Sequence, residues 1–515
     1  MRSSLCQLLI LAAVLLTYGP LFHAVYGFGD DFVLFFSAQN QEIAFLSDGR
    51  PLFALSQFLF HRQTAELADL WRFRFFCAVG VSGIAVVYFY QLRRFGGDRW
   101  ERMAMAIALA TLPCLQTYVA QAVTWLSPFA GLSAIAAAHF TQRACSQSMS
   151  RASHIGHLVV AALLMLITAG IYQPMLSWYW SIIFMMALDR RFLLSSEYRR
   201  QTFTVVFWGF VYFAICFIAL KSFFALTGIT AKSRIELTHD PVEKFYWLLR
   251  VQLPQALNFW QLMEVPSGAA RLFGASAVLL GIISGFVISL VRVLRKQNAD
   301  REPIQIHKWA MWGVTSGCIL LLTHIHWLVI ADNPQSYRII APLGVSVFVA
   351  TYWAFTRWSL LIRSRPIRRR IRRTTTVMIA IFGMTVAQRY SGKYWIEPHQ
   401  MAYRVLLQQI RQNVDETTSR IYVIRQETNE SLTGNVFIEC FARPAFERSW
   451  AINDLVRLGL RDLGFDASNM DISNGSSKEP VPATENIVVL DMSVITMYQR
   501  KSEAEKAKRD DSPHG

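Results

Sequence analysis

The sequence predicts an α-helical membrane protein that crosses the bilayer about eleven times and ends in a small extracytoplasmic α/β domain. Three observations carry this. Of the 515 residues, 53% are hydrophobic and only 17% charged, against about 25% charged in an ordinary soluble domain, and the mean hydropathy is +0.30. Apolar runs long enough to span lipid recur along the first 390 residues. After them the composition turns to that of a soluble domain. The net charge of +16, from 51 Lys+Arg and 35 Asp+Glu, would suit nucleic-acid binding, but the basic residues gather in alternate loops. That pattern excludes a nucleic-acid partner and leaves membrane lipid as the surroundings.

A spanning helix needs about 20 mostly apolar residues, because lipid offers no partner to an unpaired backbone N–H or C=O. Runs meeting this test lie at 4–23, 73–92, 103–121, 124–141, 156–172, 174–189, 203–226, 270–291, 309–330, 339–356 and 375–390. The first has no small-x-small cleavage site between Phe22 and Tyr26 and reads as a retained anchor. Arg93, Arg94 and Arg99, then Arg190, Arg191, Arg199 and Arg200, then Arg292, Arg295 and Lys296 follow the second, sixth and eighth runs. A block from Arg363 to Arg373 follows the tenth. All fall on the side of the N-terminus, which the positive-inside rule makes cytoplasmic. An odd count of spans then puts the C-terminus outside.

The outer side receives the loops 23–71 and 227–269 and the tail after 390. Within 391–500, Ile421 to Arg425 and Ile487 to Asp491 read as buried strands, and Met401 to Asn413 and Phe446 to Leu463 as helices. The polar stretch Asn469 to Pro482 reads as a loop, and the charge-alternating 501–515 as a disordered tail. Cysteine spacing offers neither a disulfide framework nor a C-x-x-C metal site.

The first outer loop holds the densest chemistry, with Asp30 and Asp31 just past a membrane helix, where carboxylates are costly and tend to mark a site. One of them is the candidate general base; the competing reading is a helix cap. On a helix their side chains would diverge by about 100°, and the flanking Gly27 and Gly29 would permit a backbone that brings them together. Glu42, Asp48 and Arg50 follow, and Gly49-Arg50-Pro51 reads as a helix stop and restart ahead of a short apolar interface helix over 52–60. Arg50 would grip a phosphate with two parallel bonds or pair with Asp48 or Glu42. Tyr172 and Gln173 sit at a tight outer turn before Pro174, able to line a cavity. Arg338 stands at the outer mouth of the tenth span, where it would snorkel to headgroups or neutralise a substrate phosphate. His324 and His326, at i and i+2, do not share a helical face and suit an aromatic belt better than a metal pair. The segment from Lys232 to Arg250 suits an amphipathic interface helix or a lid.

The acidic pair Asp30 and Asp31, the Gly49-Arg50-Pro51-Leu52 step and the Tyr172-Gln173 turn together resemble the Gtr-type bacterial O-antigen glucosyltransferases, polytopic enzymes of the GT-C class. The resemblance implies a GT-C-like fold over residues 1–390 in a bacterial inner membrane, with a periplasmic site. It also implies transfer of a sugar, glucose first, from a polyprenyl-phosphate donor to a lipid-linked or polymeric glycan acceptor such as O-antigen. Asp30 or Asp31 would take the acceptor proton, while Glu42, Asp48, Arg50, Tyr172, Gln173 and Arg338 would bind substrate. The sequence specifies no cofactor, and two adjacent carboxylates could hold Mg²⁺ or Mn²⁺. A transporter or flippase is the alternative, although it would place more charge near span centres and show inverted halves. A receptor-like scaffold is a third reading.

Overall fold

The computed structural model describes residues 3–35, 38–60, 66–145, 150–231, 236–261, 268–300, 306–333, 337–425, 449–467, 470–476, 478–482 and 487–494. The chain opens with α1 (Ser3–His23), a 3-10 turn (Gly29–Leu34), α2 (Ala38–Ser47) and α3 (Pro51–Phe60). Then come α4 (Leu70–Gln91), α5 (Arg99–Ala110), α6 (Pro113–Ala120), α7 (Ser127–Ala144) and α8 (Arg151–Tyr172). A 3-10 turn (Gln173–Ser177) leads to α9 (Trp178–Leu188), α10 (Arg190–Leu194) and α11 (Ser196–Thr227). After α12 (Pro241–Trp247) and α13 (Leu253–Leu257) come α14 (Gly268–Asp300), α15 (Ile306–Leu322), α16 (Ile325–Val329), α17 (Ala341–Ser359) and α18 (Arg365–Tyr390). The tail adds α19 (Glu397–Asn413), β1 (Arg420–Arg425), α20 (Ser449–Asp462), β2 (Asp471–Ser476) and β3 (Ile487–Asp491).

Among the described residues, seven helical runs are long and apolar enough to cross a membrane, and the bent α5–α6 pair makes an eighth. The molecule is thus a helical polytopic membrane protein with a small sheet. Large apolar side chains such as Leu16, Ile218, Leu280 and Ile381 remain exposed on the long helices, as a surface solvated by lipid tails requires. The run Arg151–Leu188 contains a reversal at Tyr172–Pro174. The Thr168 hydroxyl donates to the Ala130 carbonyl at 3.1 Å, and the Trp178 ring has already returned to the backbone of Gly131.

The basic loops converge at one end. Arg94 donates to Tyr198 at 2.8 Å and Gln142 at 3.2 Å, Arg372 pairs with Glu101 at 2.7 Å, and Arg373 pairs with Asp98 at 2.5 Å. Asp98 also caps α5 by accepting the Trp100 and Glu101 N–H groups. The arginine block, expected as a loop, forms the first turns of α18. Pro366 suits a helix start, and arginine is a good helix former once it lies beyond the lipid.

In the tail, β1 is central and parallel to both neighbours, in the order β2-β1-β3. The strands at 421–425 and 487–491 and the helices lie where their apolar spacing places them. The stretch 469–482, expected as a loop, contributes β2. This edge strand buries Ile472 and Gly475 and exposes Asp471 and Ser473, so its ladder bonds with β1 hold a sequence too polar to read as a strand. Cys440 lies outside the described residues.

The tail is not a detached module. One apolar cluster joins Leu406, Ile410, Leu455 and Val456 of the tail to Phe32, Leu67, Leu70 and Phe73 at the end of the bundle opposite the arginines. Phe28 packs between Trp395 and His399, each ring centroid 5.5 Å away. Replacing Phe32 by Ala should cost about 3 kcal/mol or more of packing and loosen this joint. The expected outcome is faster limited proteolysis between the bundle and α19 in the variant than in the wild type.

Candidate functional site

The site begins where a span breaks. Between α5 and α6 the chain bends by 58° at Thr111, Leu112 and Pro113, because proline brings no N–H to continue the ladder. The Thr111 carbonyl so released accepts from Gln116 Nε2 at 2.8 Å and Trp260 Nε1 at 2.9 Å. At the far end of α6 the Ala120 carbonyl, at the negative end of the helix dipole, accepts from the Tyr26 hydroxyl at 2.9 Å and Arg74 Nε at 3.3 Å. Arg74, one turn into α4, is wholly buried. It also donates to the Tyr26 carbonyl at 2.6 Å and lies 3.6 Å above the centre of the Tyr26 ring.

Asp31 completes this arrangement. Its carboxylate, 0% exposed, faces Arg74 at 3.4 Å and accepts the Val123 N–H at 2.9 Å and the Phe28 N–H at 3.1 Å. Burial pushes the Asp31 carboxyl up to about 6, opposed by Arg74 and those two N–H bonds, while the charge of Asp30 adds a smaller upward push. The segment Gly29–Leu34 is a 3-10 helix, in which adjacent side chains diverge by about 120°. Gly27 and Gly29 therefore do not bring the pair to one point. Gly27 serves close approach instead: a Cβ there would stand 2.8 Å from the Phe32 ring.

Asp30 consequently points elsewhere. It is 28% exposed and faces Arg338, 24% exposed, at 3.5 Å. Arg338 also donates to Gln121 Oε1 at 3.2 Å, and its carbonyl accepts from the Tyr118 hydroxyl. That hydroxyl lies 3.6 Å from Met175 Sδ, in the turn after Gln173.

The same turn borders a second cluster. Gly49 adopts φ +70° past the end of α2, with the Arg50 N–H bonded back to the Phe45 carbonyl at 2.9 Å, and α3 restarts at Pro51. The expected stop-and-restart step is present. Gln173 Nε2 donates to the Asp48 carbonyl at 3.1 Å and the Gly49 carbonyl at 2.5 Å, tying this corner to the turn. Arg50 pairs with Asp48 at 3.7 Å and stacks 4.6 Å from the centre of the Tyr172 ring. Helix α2 contains Glu42, whose side chain lies outside the described residues.

Sequence reasoning passed over several of these groups. Arg74 carries a legible signal, an arginine inside an otherwise apolar span. Gln121 carries none, because its value lies in meeting Arg338. Lys244, read as part of a mixed-charge loop, is 3% exposed, held by the Asp332 carbonyl and Asn333 Oδ1 and set 5.3 Å from the Trp247 ring centre. Burial draws its pKa below the ordinary value, against the pull of Asp332 and Glu243. Helix α12 therefore turns Lys244 inward and leaves Val242, Phe245 and Tyr246 exposed. Lys232 and Arg234 lie outside the described residues. His324 and Trp327 are buried rather than arrayed in a surface belt. His324 lies against Trp247, ring centroids 5.6 Å apart, and α16 packs against both α12 and the turn Gln173–Ser177, so these side chains share one neighbourhood. Among the described residues no three His, Cys, Asp or Glu side chains converge as a metal site.

No family model and no curated protein matches this sequence. The site is therefore read from its own chemistry: a carboxylate opposite a guanidinium at one corner, and a guanidinium, an ammonium and two imidazoles beside it. The first arrangement can take or relay a proton, and the second can hold an anion.

Removing Arg74 leaves Asp31 buried and unpaired, so Arg74→Gln should destabilise the protein by about 3–5 kcal/mol. Asp31→Asn should cost a similar amount by orphaning Arg74. The double variant should recover part of that loss; thermal unfolding of the four proteins in one detergent provides the comparison.

Proposed function

We propose that the chain is an integral-membrane glycosyltransferase that moves a sugar from a polyprenyl-phosphate donor to a surface glycan on the periplasmic face. Glucose and an O-antigen-type acceptor are what the Gtr resemblance implies. The observation that carries this reading is the partly exposed Asp30 opposite Arg338, beside the second corner where Arg50, Lys244, His324 and His326 gather. A lipid-phosphate donor needs apolar walls for its tail, cations for its phosphate and a base for the acceptor hydroxyl, all at one rim of the membrane. At this end of the bundle Asp30 offers the carboxylate and Arg50, Arg338 and Lys244 the cations.

In this reading the chain crosses the bilayer eleven times, the short or bent elements α5–α6, α9, α15 and α18 included, in a GT-C-like arrangement. The arginine-rich end is cytoplasmic and the tail periplasmic. Asp30 removes the acceptor proton as the hydroxyl attacks the anomeric carbon. The bond to the donor phosphate breaks, and the charge that develops on the leaving oxygen is met by Arg50 and Lys244. Arg338 positions the Asp30 carboxylate until the acceptor arrives. Asp31 supports the reaction by placing the turn. A divalent cation would enter at Asp30, with its remaining ligands from substrate and water.

Asp30→Asn is expected to lower transfer at least 10²-fold in membranes supplied with polyprenyl-phosphate glucose and acceptor, at unchanged expression and thermal stability. Wild-type activity in that variant would end the assignment. Arg50→Ala should weaken the apparent affinity for the lipid donor by roughly tenfold; an unchanged value removes Arg50 from the phosphate site. A flippase in place of an enzyme would translocate labelled lipid in vesicles and form no glycosidic product.

A further inference from the structure

At the opposite end of the bundle, the geometry points to a binding site for the phosphate of an anionic phospholipid, centred on Arg357. This residue occupies the last turn of α17, with its guanidinium 5.5 Å from the Trp353 ring centre. Its Nε is buried and has no hydrogen-bond partner among the described residues. The charges acting on it come from separate elements: Arg190 at the start of α10, Arg292 on α14, Arg372 on α18, and the carboxylate of Asp189.

That carboxylate is already committed. Asp189 receives Arg191 Nε at 3.0 Å and an Arg191 terminal nitrogen at 2.6 Å, and it caps α10 through the Arg191 N–H at 3.0 Å. Arg372 is balanced by Glu101 at 2.7 Å. Among the described residues, the charges of Arg190 and Arg292 thus act on Arg357 while Asp189 is held by Arg191. Like charges drawn together from different helices at the edge of lipid repel unless an anion joins them.

The entrance defines the kind of anion. Arg190 and Arg292 are exposed, and Arg292 reaches the Leu360 carbonyl at the end of α17. Leu194, Trp358 and Leu361 present exposed apolar surface on α10 and at the same end of α17. An amphiphile fits this combination: a phosphodiester whose two oxygens match the guanidinium fork, with acyl chains lying along the apolar flank. Basic recesses between helices at a cytoplasmic surface bind such headgroups. Free phosphate would use the cations but leave the flank uncovered.

The full-length protein would be placed in phosphatidylcholine nanodiscs, with and without phosphatidylglycerol, and unfolded thermally. Phosphatidylglycerol should raise Tm by roughly 3 °C or more in the wild type. The shift should vanish in Arg357→Gln and fall by at least half in Arg292→Gln, whose exposed side chain makes misfolding a poor explanation. Inorganic phosphate added to phosphatidylcholine discs should give no shift. A wild-type shift in both variants overturns the site, as does the absence of any shift with phosphatidylglycerol. If Arg357→Gln does not fold, Arg292→Gln alone decides. A shift produced equally by inorganic phosphate overturns the lipid assignment.

Discussion

Everything at the site end depends on the buried contact between Asp31 and Arg74. An ion pair removed from water loses hydration worth several kcal/mol per ion, and attraction alone does not reliably restore it. Here the backbone contributes the difference. The Arg74 donors are met by the Ala120 and Tyr26 carbonyls, and the carboxylate oxygens by the Val123 and Phe28 N–H groups. Two of these backbone groups lie where α6 ends and the next turn begins, and two in the stretch between α1 and the turn Gly29–Leu34. The pair therefore closes a break that lipid could not tolerate, and holds the loop after α1 against α4 and α6.

Adjacency in sequence conceals a division of labour. Asp30 and Asp31 are chemically identical and consecutive, yet a 3-10 turn aims one into the packed interior and the other toward Arg338. The upward push that like charges exert falls on the buried member, and burial rather than its neighbour is the larger cause. The same separation governs the second corner. The Arg50 corner is set by Gly49 and Pro51 and locked to the turn after α8 by Gln173, while Lys244 is brought in by a segment bridged to the strand-like stretch at Ile330.

The tail gives the arrangement its rigidity. By burying Phe32 in the same apolar cluster as residues of α19 and α20, it packs against the turn that holds both aspartates. The turn is thus held by a charged contact in the bundle and an apolar one to the tail.

Much of this was open to reading from residues alone wherever the cause is local. Apolar runs determined where helices form, because lipid demands internal backbone bonding within each segment. The placing of arginines determined which loops share an end, and Gly49-Arg50-Pro51 determined a helix break, because glycine and proline act through their own backbone. The tertiary structure alone decided which aspartate is buried, that Arg74 is its partner, that Arg338 meets Asp30 from the far part of the chain, and that a polar stretch becomes β2. Each of these is a pairing between groups distant in sequence. A side chain's burial and charge environment come from what the fold brings against it, and one-dimensional spacing carries no record of that partner.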